Sequence, residues 1–249
     1  MSLALALRAA LEAGRHRSPL LLAGDVAEDE AETLTGAAVL VPVVDRPEPT
    51  VILTERPATM RKHPGQISFP GGRIDPGDSG PVAAALREAE EEIGLPSHLV
   101  DVIGTTDAYR TITGYQVTPV IGVVPPDLPL VAEPGEVADM FEVPLRFLLD
   151  PTRQETRSAQ FQGAQRTYYE INWQGRRIWG ATAAMLVNLS RRLEWASGSC
   201  RARRGRSGRG LSICSPSSAP PEARPALSAG ACATRCWAFP SATSIVPPA

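Results

Sequence analysis

The chain has 249 residues, a formal net charge of −2 and 43% hydrophobic residues. That length can bury a sizeable core in one or two domains, and the near balance of charge excludes nucleic-acid binding driven by bulk charge. Apolar stretches such as GAAVLVPVV are too short to span a bilayer, so no membrane partner is expected.

In chain order, residues 2–13 predict a helix with Leu3, Leu7 and Leu11 on one face. No basic residue precedes its apolar part, so it reads as an amphipathic helix rather than a signal peptide, and a cytoplasmic protein is expected. The acidic EDEAE segment at 28–32 reads as solvated, so that 1–36 make a helix and an acidic linker ahead of a domain over 37–196. GAAVLVPVV and TVILTE predict two strands joined at DRPEP, and ISF a short third one. A helix from about Gly80 to Ile93 is stopped by Gly94 and Pro96. LVDVIGTT and YQVTPVIGVV predict strands, PPDLPLVAEPGEVADM a loop, and FEVPLRFLLD a strand passing into a short helix. TYYEINWQGRRIWG suggests a hairpin turning near NWQG, and ATAAMLVNLSRRLEW a last amphipathic helix. Strands and helices alternate irregularly, which points to an α/β (α+β) domain, helices layered on a mixed sheet.

Past Ala196 the composition changes. The tail from Ser197 holds seven arginines and one acid, which leaves 18 basic and 26 acidic residues before it. The front part is thus −8 and the tail +6. All four cysteines, Cys200, Cys214, Cys232 and Cys236, lie in the tail, so 1–196 needs no disulfide, as expected in the cytoplasm. The tail, rich in Ser, Ala, Pro, Gly and Arg, has no sustained period and is expected to be disordered. The same composition is what GC-rich DNA encodes out of frame, which makes 197–249 a candidate frameshift product.

The stretch GGRIDPGDSGPVAAALREAEEEIGL, residues 71–95, crowds four glutamates into Glu88–Glu92. At about 100° per residue, Val82, Ala85, Leu86, Ala89 and Ile93 share an apolar face, and Glu88, Glu91 and Glu92 form an adjacent strip. Like charges at this spacing repel. An oxygen-rich strip suits a hard cation such as Mg²⁺ or Mn²⁺, which combines carboxylates with substrate phosphates. Small residues Ala83–Ala85 let the helix sit close to a sheet, and Gly71 and Gly72 permit close backbone approach. Arg87 is placed to pair with a carboxylate of the preceding loop such as Asp78.

REAEEEIGL, Arg87–Leu95, resembles the end of the box that defines the Nudix family. The upstream glycine is Gly72; Asp78 stands where the box has Glu, with one extra residue before Arg87. LTERPATMRKHPGQISFPGG, Leu53–Gly72, is similar to the motif preceding the box in coenzyme A pyrophosphatases: Leu53, Thr54, Arg56, Arg61, Gly65, Phe69, Pro70, Gly71 and Gly72 match, and Pro57 departs from it. IWGATA, Ile178–Ala183, resembles that subfamily too. The resemblance implies a Nudix-type α/β/α sandwich with a mixed sheet. It implies hydrolysis of the coenzyme A pyrophosphate to 4′-phosphopantetheine and adenosine 3′,5′-bisphosphate. Glu88, Glu91 and Glu92 are then expected to hold Mg²⁺ or Mn²⁺, with Arg87 supporting them. Glu88 is a candidate base within the box, and Glu136 is favoured among the facing-loop candidates Glu133, Glu136 and Asp139. Arg56, Arg61 and Lys62, with Gly71 and Gly72, are expected to bind substrate. Phe69 is expected in the core, and Trp179 and Tyr109 in the core or at the rim, where either could stack on adenine. A homodimer is the expected assembly. Another diphosphate such as ADP-ribose, or a non-catalytic nucleotide-binding module, are the alternatives.

Overall fold

A computed structural model of the chain describes residues 2–19, 34–60, 63–161 and 163–193. The acidic segment at 28–32, Arg61, Lys62 and the tail expected to be disordered lie outside these residues.

The first helix, α1 (Leu3–Ala13), begins at Ser2, whose hydroxyl accepts the Leu5 N–H at 3.3 Å. Strand β1 (Thr35–Val44) follows and is the centre of the fold. It lies parallel to β7 (Tyr115–Val124), paired from Thr35–Tyr115 to Val44–Val124. Its other edge is shared antiparallel by two strands. The near end takes β4 (Gly71–Arg73), with Ala38 opposite Gly72, and the far end takes β2 (Thr50–Glu55), with Val43 opposite Val51. Short β3 (Ile67–Ser68) and β8 (Asp139–Pro144) pair with β2, while β5 (Asp101–Thr105) and β6 (Tyr109–Arg110) pair with β7. The sheet is therefore mixed, as expected. A second, antiparallel sheet of β9 (Glu155–Phe161), β10 (Ala164–Trp173) and β11 (Arg176–Trp179) follows the short helix α3 (Leu145–Leu148).

Alternation along β1 divides the core. Ala38, Leu40 and Val44 face helix α2 (Pro81–Ile93) with Ala84, Ala85, Ala89 and Ile93, all buried. Val41 and Val43 face the opposite layer, where they meet Leu3, Leu7 and Leu11 of α1 and Leu186 and Leu189 of α4 (Ala181–Arg192). Phe69 is buried in this second layer, and Tyr109 packs against it. The predicted N-terminal helix thus contributes its leucine face to the same core as the strands. No helix among the described residues is long and apolar enough to cross a membrane.

Where α1 ends, the chain touches the last turn of α4. A side chain at Gly14 would land on the Arg192 carbonyl, although its φ of −87° suits any residue. Arg192 donates to the Gly14 carbonyl at 2.8 Å and pairs with half-buried Asp107, while Arg17 donates to the Arg191 carbonyl at 2.9 Å. Gly14→Ala is expected to cost about 1–3 kcal/mol by overpacking. Urea denaturation checks this; an unchanged midpoint would show that the two helix ends part freely.

Candidate carboxylate site

Helix α2 is set by its ends. Gly80 precedes Pro81 at the first helical position, and Gly94 closes the helix in the left-handed conformation, φ 64°. The helix lies over β1 and β4 because its inner face is nearly all alanine: Ala84, Ala85 and Ala89 have no exposed surface. Two details differ from the helical wheel. Leu86 and Val82 are only partly buried, and Glu92 is 4% exposed. Glu92 is drawn inward because β4 comes within hydrogen-bonding distance: the Gly71 N–H donates to Glu92 Oε2 at 3.1 Å.

The two glycines of β4 hold different places. A Cβ on Gly71 would meet the main chain of Ala38 and Val39, so this residue lets β4 pair closely with β1. A Cβ on Gly72 would lie 2.5 Å from the Glu88 carboxyl. The Glu88 side chain, 15% exposed, fills the space that glycine leaves.

Arg87 organises the outer side. Its guanidinium spans both oxygens of Asp78 at 3.2 and 3.1 Å, donates to the Arg73 carbonyl at 3.1 Å, and reaches Glu88 at 3.0 Å and Glu91 at 2.9 Å. The extra loop residue is absorbed without loss of the Asp78–Arg87 pair. Asp78 also accepts the Asp75 N–H at 2.8 Å, and these bonds, that from Arg87 foremost, hold its carboxyl below the usual range. Such a planar fork cannot be copied by lysine. Arg87→Lys is expected to lower turnover roughly tenfold or more, the scale seen when groups that orient ligands are lost; a steady-state assay that finds wild-type turnover would show the fork to be dispensable.

Glu91 is the outlier of the acidic trio, 59% exposed and turned to Arg87. Glu88 and Glu92 are the inner pair. Desolvation raises the pKa of both, that of Glu92 to about 7. The charge of Glu136 pushes both further up, and that of Arg56 pulls Glu92 down. These influences place Glu136 and Arg56 at the same cleft. The Glu136 loop is tied to the end of α2: Val131 N–H donates to the Ile93 carbonyl at 3.1 Å and Glu133 N–H to the Glu92 carbonyl at 2.8 Å. Arg56 follows β2, and its Nε is buried with no hydrogen-bond acceptor among the described residues. Asp139, another facing-loop candidate, belongs instead to β8 and pairs with Arg176 at 2.6 Å. Trp179 is partly buried and stacks edge-on with Tyr168. Arg61 and Lys62 fall outside the described residues.

Sequence reasoning missed the Gly71 N–H as a ligand of Glu92, and missed Arg176 with its partner Glu55. The first had a signal in the paired glycines; the second joins residues 121 positions apart.

Among the described residues no three His, Cys, Asp or Glu side chains already converge as a metal site. The donor set still fits a hard divalent cation. Glu88, Glu91 and Glu92 lie along one helix, Glu92 buried and Glu88 partly buried, and the desolvation that raises the pKa of Glu88 and Glu92 is a cost of their charged forms that a bound cation would offset.

A box of this kind, on a loop and helix laid over a mixed sheet, is the hallmark of a hydrolase class. A sequence model of the NUDIX domain matches residues 34–161, a little over half of the chain. The chain belongs to the Nudix family, whose members are hydrolases of nucleoside diphosphate derivatives and generally use Mg²⁺ or Mn²⁺. It is 47% identical over 154 residues to a protein of Cronobacter sakazakii described as the uncharacterized Nudix hydrolase NudL, an alignment covering 62% of this chain and 80% of that one. The NudL protein of Escherichia coli K12 is 44% identical with the same coverage. Among solved structures, the Nudix hydrolase RenU of M. smegmatis is 28% identical with a TM-score of 0.40, over 49% of this chain and 78% of that one.

Proposed function

We propose that the protein hydrolyses the pyrophosphate of coenzyme A, or of a derivative, to 4′-phosphopantetheine and adenosine 3′,5′-bisphosphate. The observation that carries this reading is Arg56. It stands in LTERPATMRKHPGQISFPGG, and its buried Nε has no acceptor among the described residues while its charge reaches Glu92. A phosphate oxygen beside the carboxylates is the acceptor such a guanidinium lacks. Arg61 and Lys62 of the same sequence segment add positive charge suited to a substrate with three phosphates.

Glu88, Glu91 and Glu92 are the residues that would hold Mg²⁺ or Mn²⁺, which when bound supplies charge neutralisation and lowers the pKa of water. Arg87 keeps Glu88 and Glu91 in place. Gly71 and Gly72 bring the main chain of β4 up to the carboxylates where substrate binds, and Glu136, exposed on the facing loop, accepts the proton of the attacking water. The water oxygen forms a bond to one phosphorus, the bridging P–O bond breaks, and the bridging oxygen leaves on the other phosphate. A cytoplasmic location and a homodimer belong to the same proposal, and light scattering of the purified chain tests the second.

The full chain incubated with coenzyme A and Mg²⁺ or Mn²⁺ is expected to release adenosine 3′,5′-bisphosphate, separated from substrate by charge. ADP-ribose cleavage without coenzyme A cleavage would replace the substrate and keep the site. A folded chain that cleaves neither would make the domain a binding module.

A further inference from the structure

We propose that Arg176 is a positioning residue for the carboxylate cleft, holding in register the two chain segments that face Glu88 and Glu92. The inference rests on the hydrolase reading above and adds to it a residue remote from the Nudix box.

Glu55 and Asp139 are directly opposite each other at the open end of the β2–β8 ladder. Like charges in that position repel and would splay the strands. The chain leaves this pair in two directions that both matter. After Glu55 comes Arg56; before Asp139 comes the 133–138 loop with Glu136, whose last link to β2 is the Ala138 N–H on the Glu55 carbonyl at 2.8 Å. Alternation turns Glu55 and Asp139 to the face of the sheet opposite α2, so neither reaches the cleft.

Arg176 meets them there. Its guanidinium donates to Glu55 Oε2 at 2.9 Å and to Asp139 Oδ2 at 2.6 Å, and it lies 4.0 Å above the ring of Phe141, which fixes its plane. The reach is set by a tight turn. Gln174 and Gly175 both have positive φ, 47° and 81°, as a two-residue hairpin of the primed type requires, and Arg176 is the first residue after it. One cation thus binds across two strand ends that would otherwise separate. The three side chains are about a third to a half exposed, so the pairs contribute little to global stability. Their effect is local, on the placement of Arg56 and Glu136.

The test compares Arg176→Met and Arg176→Lys in the full chain by amide hydrogen exchange and steady-state kinetics. Arg176→Met is expected to speed exchange at residues 133–138 while leaving α2 protected, and to lower kcat for coenzyme A about tenfold to a hundredfold, the scale of a misplacement near one ångström. Arg176→Lys, which keeps the charge, is expected to restore part of both. Unchanged exchange at 133–138, or exchange that rises equally in α2, overturns the proposal; so does a wild-type kcat in Arg176→Met. The exchange measurement does not depend on the substrate. A wild-type chain that leaves coenzyme A intact therefore overturns the substrate reading alone, and the kinetic comparison moves to the diphosphate it does cleave.

Discussion

Glu92→Gln is expected to cut turnover severely and to make the metal-free protein more stable. The two effects have one source. Glu92 is a nearly buried carboxylate whose described hydrogen bond is to a single backbone N–H, and desolvation raises its pKa from 4.5 to about 7. In the unfolded chain it ionises near 4.5; in the folded chain it holds its proton until about 7. The folded state therefore binds more protons between these values, and its stability falls as pH rises through that window. Above it the penalty is constant, at most about 3 kcal/mol. Glutamine keeps the size and an acceptor for the Gly71 N–H and removes the charge. Urea denaturation at pH 4.5 and pH 8 in chelator should show this decline in the wild type and a flatter profile in Glu92→Gln. Mg²⁺ or Mn²⁺ should raise the wild-type Tm at pH 8 and leave the variant's unchanged. Turnover should fall about a thousandfold, which is several kcal/mol of transition-state stabilisation. An active Glu92→Gln enzyme would remove Glu92 from the metal ligands.

The paired glycines supply the second large effect, with opposite outcomes at neighbouring positions. At Gly71 an added methyl meets fixed main chain, the Ala38 carbonyl and, at 2.6 Å, the Val39 Cα. The φ of 154° adds strain for any side chain. Gly71→Ala is expected to part β4 from β1 and cost about 3 kcal/mol, among the larger single-residue effects. At Gly72 the methyl meets a carboxyl at the end of a side chain, which swings aside. Gly72→Ala is expected to cost little stability and to lower turnover about a hundredfold, since Glu88 is displaced from the cleft. Denaturation and kcat on both variants check the contrast. A stable, inactive Gly71→Ala beside an unstable Gly72→Ala would reverse the roles.

The features legible in the sequence are those written in local chemistry. Pro81 and Gly94 bound α2, the three leucines of α1 mark its buried face, and NWQG marks the β10–β11 turn. Arg87 with Asp78, Glu88 and Glu91 could be read because each of these partners lies within ten residues of it. The burial of Glu92 could not, because it depends on how closely β4 approaches, and no helical period encodes that. Strand β9 escaped for the opposite reason. Its described side chains, 155–160, are all exposed, so TRSAQ carries no apolar alternation to mark it. β8 begins at Asp139, two residues before the apolar run that announced it, because Asp139 is held by Arg176 and β2 rather than by the core. Arg176 itself is invisible without the fold, since nothing near it in the chain indicates Glu55.

The contact between α1 and the end of α4 also orders events during synthesis. The leucine face of α1 leaves the ribosome about 170 residues ahead of α4. At about 5–20 residues per second that is a wait of roughly 10 to 35 s. During it Leu3, Leu7 and Leu11 lack the helix they pack against. Helix α1 is thus made well before the helix that completes its packing, and for that interval its leucine face is a natural target for a nascent-chain chaperone.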